Sequence, residues 1–261
     1  MVVVTVTQQE AAVPRRMPLG AARVSCIPRR FLSNTSSKPT LFGFPLSQPT
    51  RSVLLLLKEN KIEYDFVLVD ALKGENRKQD FLKINPAGLV PCIRHNDFLL
   101  PESSAILQYL AEFYGLEKWY PKDIKERAKI QFWLSWNHQN TRMCTKKLLV
   151  TKLFPPKNTS TDEFPKYTKE VARSMTFLNS ELEKNKASGQ GPFLTGSKDP
   201  TIADLQLLTE MDQLLPEAFG YFDFTPFNGI QRYISTLQNS LVSYSSVYNP
   251  VVSIAAQKKK L

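Results

Sequence analysis

A chain of 261 residues, 42% hydrophobic and 22% charged, holds enough apolar material for two ordinary domains with buried cores, which excludes a disordered or fibrous protein. Its longest apolar run, Val53-Leu54-Leu55-Leu56-Leu57, stops at Lys58-Glu59, far short of the roughly 20 residues that span a bilayer, so no membrane partner is expected. The net charge of +10 is gathered at the ends: residues 1–39 carry Arg15, Arg16, Arg23, Arg29, Arg30 and Lys38 against Glu10, and Lys258, Lys259 and Lys260 stand just before Leu261, which leaves a near-neutral body and no expectation of nucleic-acid binding.

Residues 1–38 are rich in Arg, Ser, Pro and Ala with a single acid, and they show no lasting helical or strand period. Two readings stand side by side: a transit segment, which implies a mitochondrial protein, or a disordered extension on a cytoplasmic one. From Thr40 the pattern sharpens. Thr40 to Phe44 reads as a buried strand, Pro45 to Pro49 as a turn, and Thr50 as the N-cap of a helix reaching about Asn60. Tyr64 to Val69 is a second strand, and two strands joined by one helix imply parallel pairing. Phe81, Leu82 and Ile84 give a short helix. Pro91 to Arg94 and Phe98 to Leu100 flank the turn dipeptide Asn96-Asp97 as a hairpin, with His95 a solvated loop residue, and Ser103 to Tyr114 is a helix stopped at Gly115.

Past Tyr120-Pro121 the strands end. One long helix is predicted from Ile124 to about Leu149, with a break forced by Pro155-Pro156; further helices run from about Asp162 to Lys186, Thr201 to Leu215 and Pro226 to Ser240. Thr201 and Asp204 have the spacing of a capping box. The fold class is therefore α+β with two domains: a βαβαββα domain over 39–118 and an all-α domain over 122–257.

The three cysteines, Cys26, Cys92 and Cys144, form no C-x-x-C pair and no metal-ligand cluster, so no metal is expected; the two histidines, His95 and His138, give little material for a nucleophilic triad. Cys92, beside Pro91 on a core strand, reads as buried and inert. Three features of the first domain converge on one ligand. Val90-Pro91 before a strand is either a cis peptide that turns the Val90 backbone outward to pair with a peptide or an ordinary strand-entry proline. Glu102-Ser103 at a helix start either binds an α-amino acid head, carboxylate to the free N–H groups and ammonium to the acid, or simply caps the helix. Ser47, in a turn pinned by Pro45 and Pro49, puts a hydroxyl near a helix N-terminus, where an anionic sulfur is favoured.

With Leu46-Ser47-Gln48-Pro49, Lys73-Gly74, Asn85-Pro86, Val90-Pro91, Glu102-Ser103 and Leu194-Thr195-Gly196 through Ala203-Asp204 in order, the chain resembles a glutathione transferase of the theta-like class over residues 40 to about 240. The resemblance implies a thioredoxin-like first domain, an all-helical second one, a homodimer, and glutathione as substrate with a small hydrophobic electrophile or a hydroperoxide as its partner. It assigns Ser47 to the glutathione sulfur, Val90 and Pro91 to the cysteinyl backbone, and Glu102 and Ser103 to the γ-glutamyl head. Gln48 and Arg51 support the turn, and Arg142, on one helix face with His138 and Gln139, either sits by the active site or is a solvated charge. Two positions depart from the pattern. Asn76 stands where a histidine is common and Leu89 where a lysine is common, both beside the glycine carboxylate; Asn76 still donates hydrogen bonds, and weakened affinity for glutathione is expected. The rival reading is a non-catalytic binding or scaffold subunit on the same fold. A thiol-disulfide reductase would want cysteine in place of Ser47.

Overall fold

The computed structural model describes residues 38–153 and 163–258, apart from the side chains of 143–145. The expectations for the N-terminal extension up to residue 37 and for the Pro155-Pro156 break lie outside the described residues. β1 (Thr40–Gly43) buries Leu41 on one sheet face and Phe42 on the other. The turn after it closes through the Ser47 N–H to the Phe44 carbonyl at 2.8 Å. α1 (Gln48–Glu59) starts before the expected Thr50, with Ser47 at its N-cap, because Pro49 falls in the first turn, where an N–H is not needed. The close approach of α1 requires Gly43: a Cβ there would lie 2.4 Å from the Thr50 methyl.

β2 (Asp65–Leu68) pairs parallel with β1. Two 3-10 turns, 71–73 and 75–77, and the one-turn helix α2 (Gln79–Leu82) lead to the hairpin of β3 (Cys92–His95) and β4 (Phe98–Pro101), in which Ile93 faces Leu100. β3 also pairs antiparallel with β1, which gives a mixed sheet of order β2-β1-β3-β4. α3 (Ser103–Phe113) follows, and the chain turns away at Gly115 in the left-handed region. His95 departs from the expected solvated loop. It belongs to β3, is buried, holds the Tyr109 hydroxyl at 3.0 Å through Nδ1, and packs against Phe113 and Tyr114.

The second half is helical: α4 (Ile124–Gln139), α5 (Thr141–Leu153), α6 (Phe164–Ala187), α7 (Ile202–Met211), a 3-10 turn over 212–214, α8 (Asn228–Ser240) and α9 (Tyr244–Lys258). The single long helix expected from Ile124 is broken at Asn140. The Asn140 side chain bonds back to the Trp136 carbonyl at 2.9 Å and the Thr141 hydroxyl bonds to the Asn137 side chain, so local side-chain bonds compete with the helix ladder. α7 is buried along its whole length. Its Asp204 carboxylate accepts from the Thr201 N–H and hydroxyl, the Leu194 N–H and the Tyr233 hydroxyl, which ties the start of α7 to α8. Leu55 and Leu56 of α1, Ile106 and Leu107 of α3, Trp133 of α4, and Leu205 and Leu208 of α7 share one core, while Phe42, Val69, Phe81 and Cys92 form a smaller cluster. No described helix is long and apolar enough to cross a membrane.

Candidate functional site

A cavity of about 460 Å³ opens where the loop before β3, the start of α3 and the α4–α5 corner meet α7. Of the residues expected at the site, it is lined by Val90, Pro91, Glu102, Ser103 and Arg142. Its loop wall is set by the Val90-Pro91 peptide, which is cis. Among the described residues, neither the N–H nor the C=O of Val90 has a hydrogen-bond partner, so a strand-like edge faces the cavity unpaired.

α3 supplies the opposite wall. Glu102 occupies its N-cap with φ +70°, a left-handed conformation that is costly for a residue with a Cβ, and Ser103 follows as the first helical residue with its side chain buried. The expected capping role of Ser103 therefore passes to Glu102 by position, and neither side chain caps the helix. The Ser103 oxygen instead accepts a hydrogen bond from Nε2 of Gln206 at 2.9 Å.

Ser47 stands two residues before Pro49, which lines the cavity, and is not itself part of the lining. It is half-buried, and its hydroxyl makes no capping bond to α1, so the oxygen and hydrogen are both uncommitted at a helix N-terminus. The side chains around it are heavily bonded. Fully buried Arg51 donates to the Leu46 carbonyl at 3.0 Å, to the Thr209 carbonyl at 2.7 Å and to Asp212 at 2.6 Å, clamping the serine turn onto the end of α7. Gln48 donates to Gln213 and accepts from Arg142 at 3.2 Å, and Arg142 pairs with buried Glu210 at 2.8 Å. Burial pushes the Asp212 carboxyl up to about 7, with the Arg51 charge pulling the other way. Arg142 is thus neither a solvated charge nor free; it bridges α5, α7 and the serine turn.

Asn76 is not in the cavity lining. Its Nδ2 donates to the Gly88 carbonyl at 2.8 Å, and Asn85 donates to the Leu89 carbonyl at 2.7 Å, so both amides brace the loop that carries Val90. Leu89 itself lines the cavity and brings no charged group to it. His138 and Gln139 from the end of α4 join Arg142 in the lining, brought together across the Asn140 break, and Lys146 is added one turn along α5. Sequence reasoning missed Lys146 and Gln206. The only signal for Gln206 was an amide set among apolar residues of a buried helix.

Comparisons with known proteins identify the family. The model of the glutathione S-transferase N-terminal domain matches residues 41–118. Glutathione S-transferase T1 of Arabidopsis thaliana is 37% identical over 179 residues, which cover 68% of this chain and 73% of that protein. Glutathione S-transferase T2 of the same plant is 33% identical over 219 residues, 82% of this chain and 37% of its own length, so the chain spans well under half of that relative. The solved structure of human glutathione transferase theta-2, in complex with glutathione and an unknown ligand, aligns with a TM-score of 0.75 at 29% identity over 84% of this chain and 91% of that one. The chain belongs to the glutathione S-transferase family, and its relatives place it with the theta-like class.

Proposed function

We propose that the protein joins glutathione to a small hydrophobic electrophile, or uses it to reduce a hydroperoxide, with Ser47 stabilising the thiolate. The observation that carries this reading is the unpaired backbone edge of Val90 facing the start of α3 across the cavity, with an uncommitted serine hydroxyl two residues from Pro49 in its wall. A peptide with a cysteinyl middle pairs with Val90, and its α-amino acid head meets Glu102 and Ser103. The sulfur then belongs at the α1 start. A free thiol has a pKa of about 8.5, and lowering it to about 6.5 requires about 2.7 kcal/mol of preference for the anion. A hydrogen bond to a charged group contributes about 1.5–3 kcal/mol, so one hydroxyl together with the helix dipole suffices. The thiolate attacks the electrophilic carbon, the new sulfur–carbon bond forms, and the leaving group departs with its electron pair.

Asn76, with its amide engaged on Gly88, and apolar Leu89 leave the glycine carboxylate few side-chain donors, which supports weak affinity for glutathione. The test of the serine is a pH titration of bound glutathione, followed by thiolate absorbance, in wild type and Ser47→Ala. The wild type is expected to hold thiolate at pH 7 and the variant to lose it, with turnover falling about tenfold to a hundredfold. Glutathione bound with an unshifted thiol in both proteins rules the role out.

The protein also acts, in this reading, as a homodimer. Phe98 and Leu99 of β4 and Phe113 of α3 are exposed large apolar side chains, and a second copy would cover them. Sedimentation velocity is expected to give a dimer for the wild type and a monomer for Phe98→Glu; a wild-type monomer at micromolar concentration removes the dimer from the proposal.

A further inference from the structure

Ser103 and Gln206 form a buried polar pair in a cavity wall, and the pair is incomplete. Nε2 of Gln206 donates to the Ser103 oxygen at 2.9 Å, while Oε1 of Gln206 is buried without a partner. Gln206 is only 2% exposed, and its α7 neighbours Leu205, Leu207 and Leu208 are fully buried apolar residues. Packing alone does not call for an amide here. A buried acceptor with no donor destabilises the fold, and a leucine or methionine of similar size would avoid that cost.

A serine hydroxyl has one hydrogen to give and two lone pairs to offer. With one lone pair occupied by Gln206, the hydrogen remains for a partner on the cavity side. We infer that Gln206 is a positioning residue: it fixes the Ser103 hydroxyl as a donor and so selects ligands whose head carries a carboxylate. The inference rests on the reading of glutathione as ligand and adds to it the residue that reads the γ-glutamyl carboxylate indirectly, from the helical half of the chain.

The test compares glutathione with 4-aminobutyryl-cysteinyl-glycine, which keeps the amine and lacks the α-carboxylate, by calorimetry on the full chain. Wild type is expected to prefer glutathione by about tenfold or more, the value of one charge-assisted hydrogen bond. Gln206→Leu is expected to weaken glutathione about tenfold, leave the analogue's affinity unchanged and hold or raise the melting temperature. Gln206→Met serves as the second variant should leucine pack poorly. Gln206→Glu, whose carboxylate takes the Ser103 hydrogen, is expected to lose as much as leucine or more.

Three results overturn the inference while leaving glutathione binding intact: an undiminished preference in both apolar variants, an equal loss of both ligands, or Gln206→Glu binding like wild type, which means the amide faces Ser103 the other way round. A wild type that binds neither ligand overturns the transferase reading, and the inference with it.

Discussion

A thiolate needs water or a strong cation partner, and at Cys92 burial outweighs the opposing pull of the Arg94 charge. It lies fully buried in β3 against Phe42 and Phe81, and burial pushes its thiol up to about 11. The folded pKa is above the unfolded one, so the contribution of this group to stability is complete below about pH 8.5 and is lost as pH rises towards 11. At pH 8 an unfolded cysteine is roughly one quarter thiolate, whereas Cys92 at about 11 is roughly one part in a thousand. Iodoacetamide labelling of the Cys92 peptide, read by mass spectrometry, is therefore expected to be at least about a hundredfold slower in the native protein than in denaturant. Native labelling at the denatured rate would show that the strand opens or that the thiol is not buried. The same burial separates Cys92 from the sulfur chemistry proposed at Ser47, where the hydroxyl is uncommitted and the helix N-terminus is open.

The elements that were legible in the sequence are those whose signals are local. β1 and β2 show as short apolar runs around one helix, and the hairpin shows because Asn96, at φ +58°, takes the left-handed turn conformation that asparagine tolerates. The Thr201–Asp204 spacing marked the start of α7 for the same reason: the bonds that define a cap lie within four residues. The misread elements are those where one residue carries two meanings. Pro49 looks like a turn residue and is also a good first-turn residue, so α1 begins earlier than Thr50. Asn140 has no special standing within an apolar-periodic segment, yet its side chain ends α4. The predicted helices stop at Ser240, whereas α9 adds a further one that runs through Pro250, with Tyr244, Val247, Tyr248 and Val251 buried. His95 shows the limit at a strand end: beside a turn it reads as solvated, and only the packing of α3 across the hairpin buries it.

What sequence could not supply is the meeting of its two halves, because those contacts join residues more than a hundred positions apart. Ser103 to Gln206 is one such contact, and Arg51 to Asp212 is another. Arg51 was legible as a support for the serine turn, but not its partner. The pair is a buried ionic link between the sheet-bearing half and the helical half, with Arg51 fully buried and the Asp212 side chain almost so. Such a pair contributes little over an apolar substitute, yet removing one member leaves the other charge stranded, at a cost of about 3–5 kcal/mol. Arg51→Met is thus expected to lower the unfolding free energy by about that amount at pH 8. The pH dependence has a definite sign. The folded Asp212 carboxyl, up at about 7, already lies above the unfolded value of about 3.9, so the native state binds the extra proton and stability falls as pH rises between those values. Without Arg51 only the backbone N–H of Gln213 opposes burial, the folded value climbs further, and the decline continues past pH 7. At pH 5 the variant keeps Asp212 protonated, and its deficit relative to wild type is smaller. Urea unfolding of both proteins at pH 5 and pH 8 measures the difference. A deficit that is equal at the two pH values, or smaller at pH 8, would mean that the carboxylate finds another partner and that the two halves are not joined through this charge.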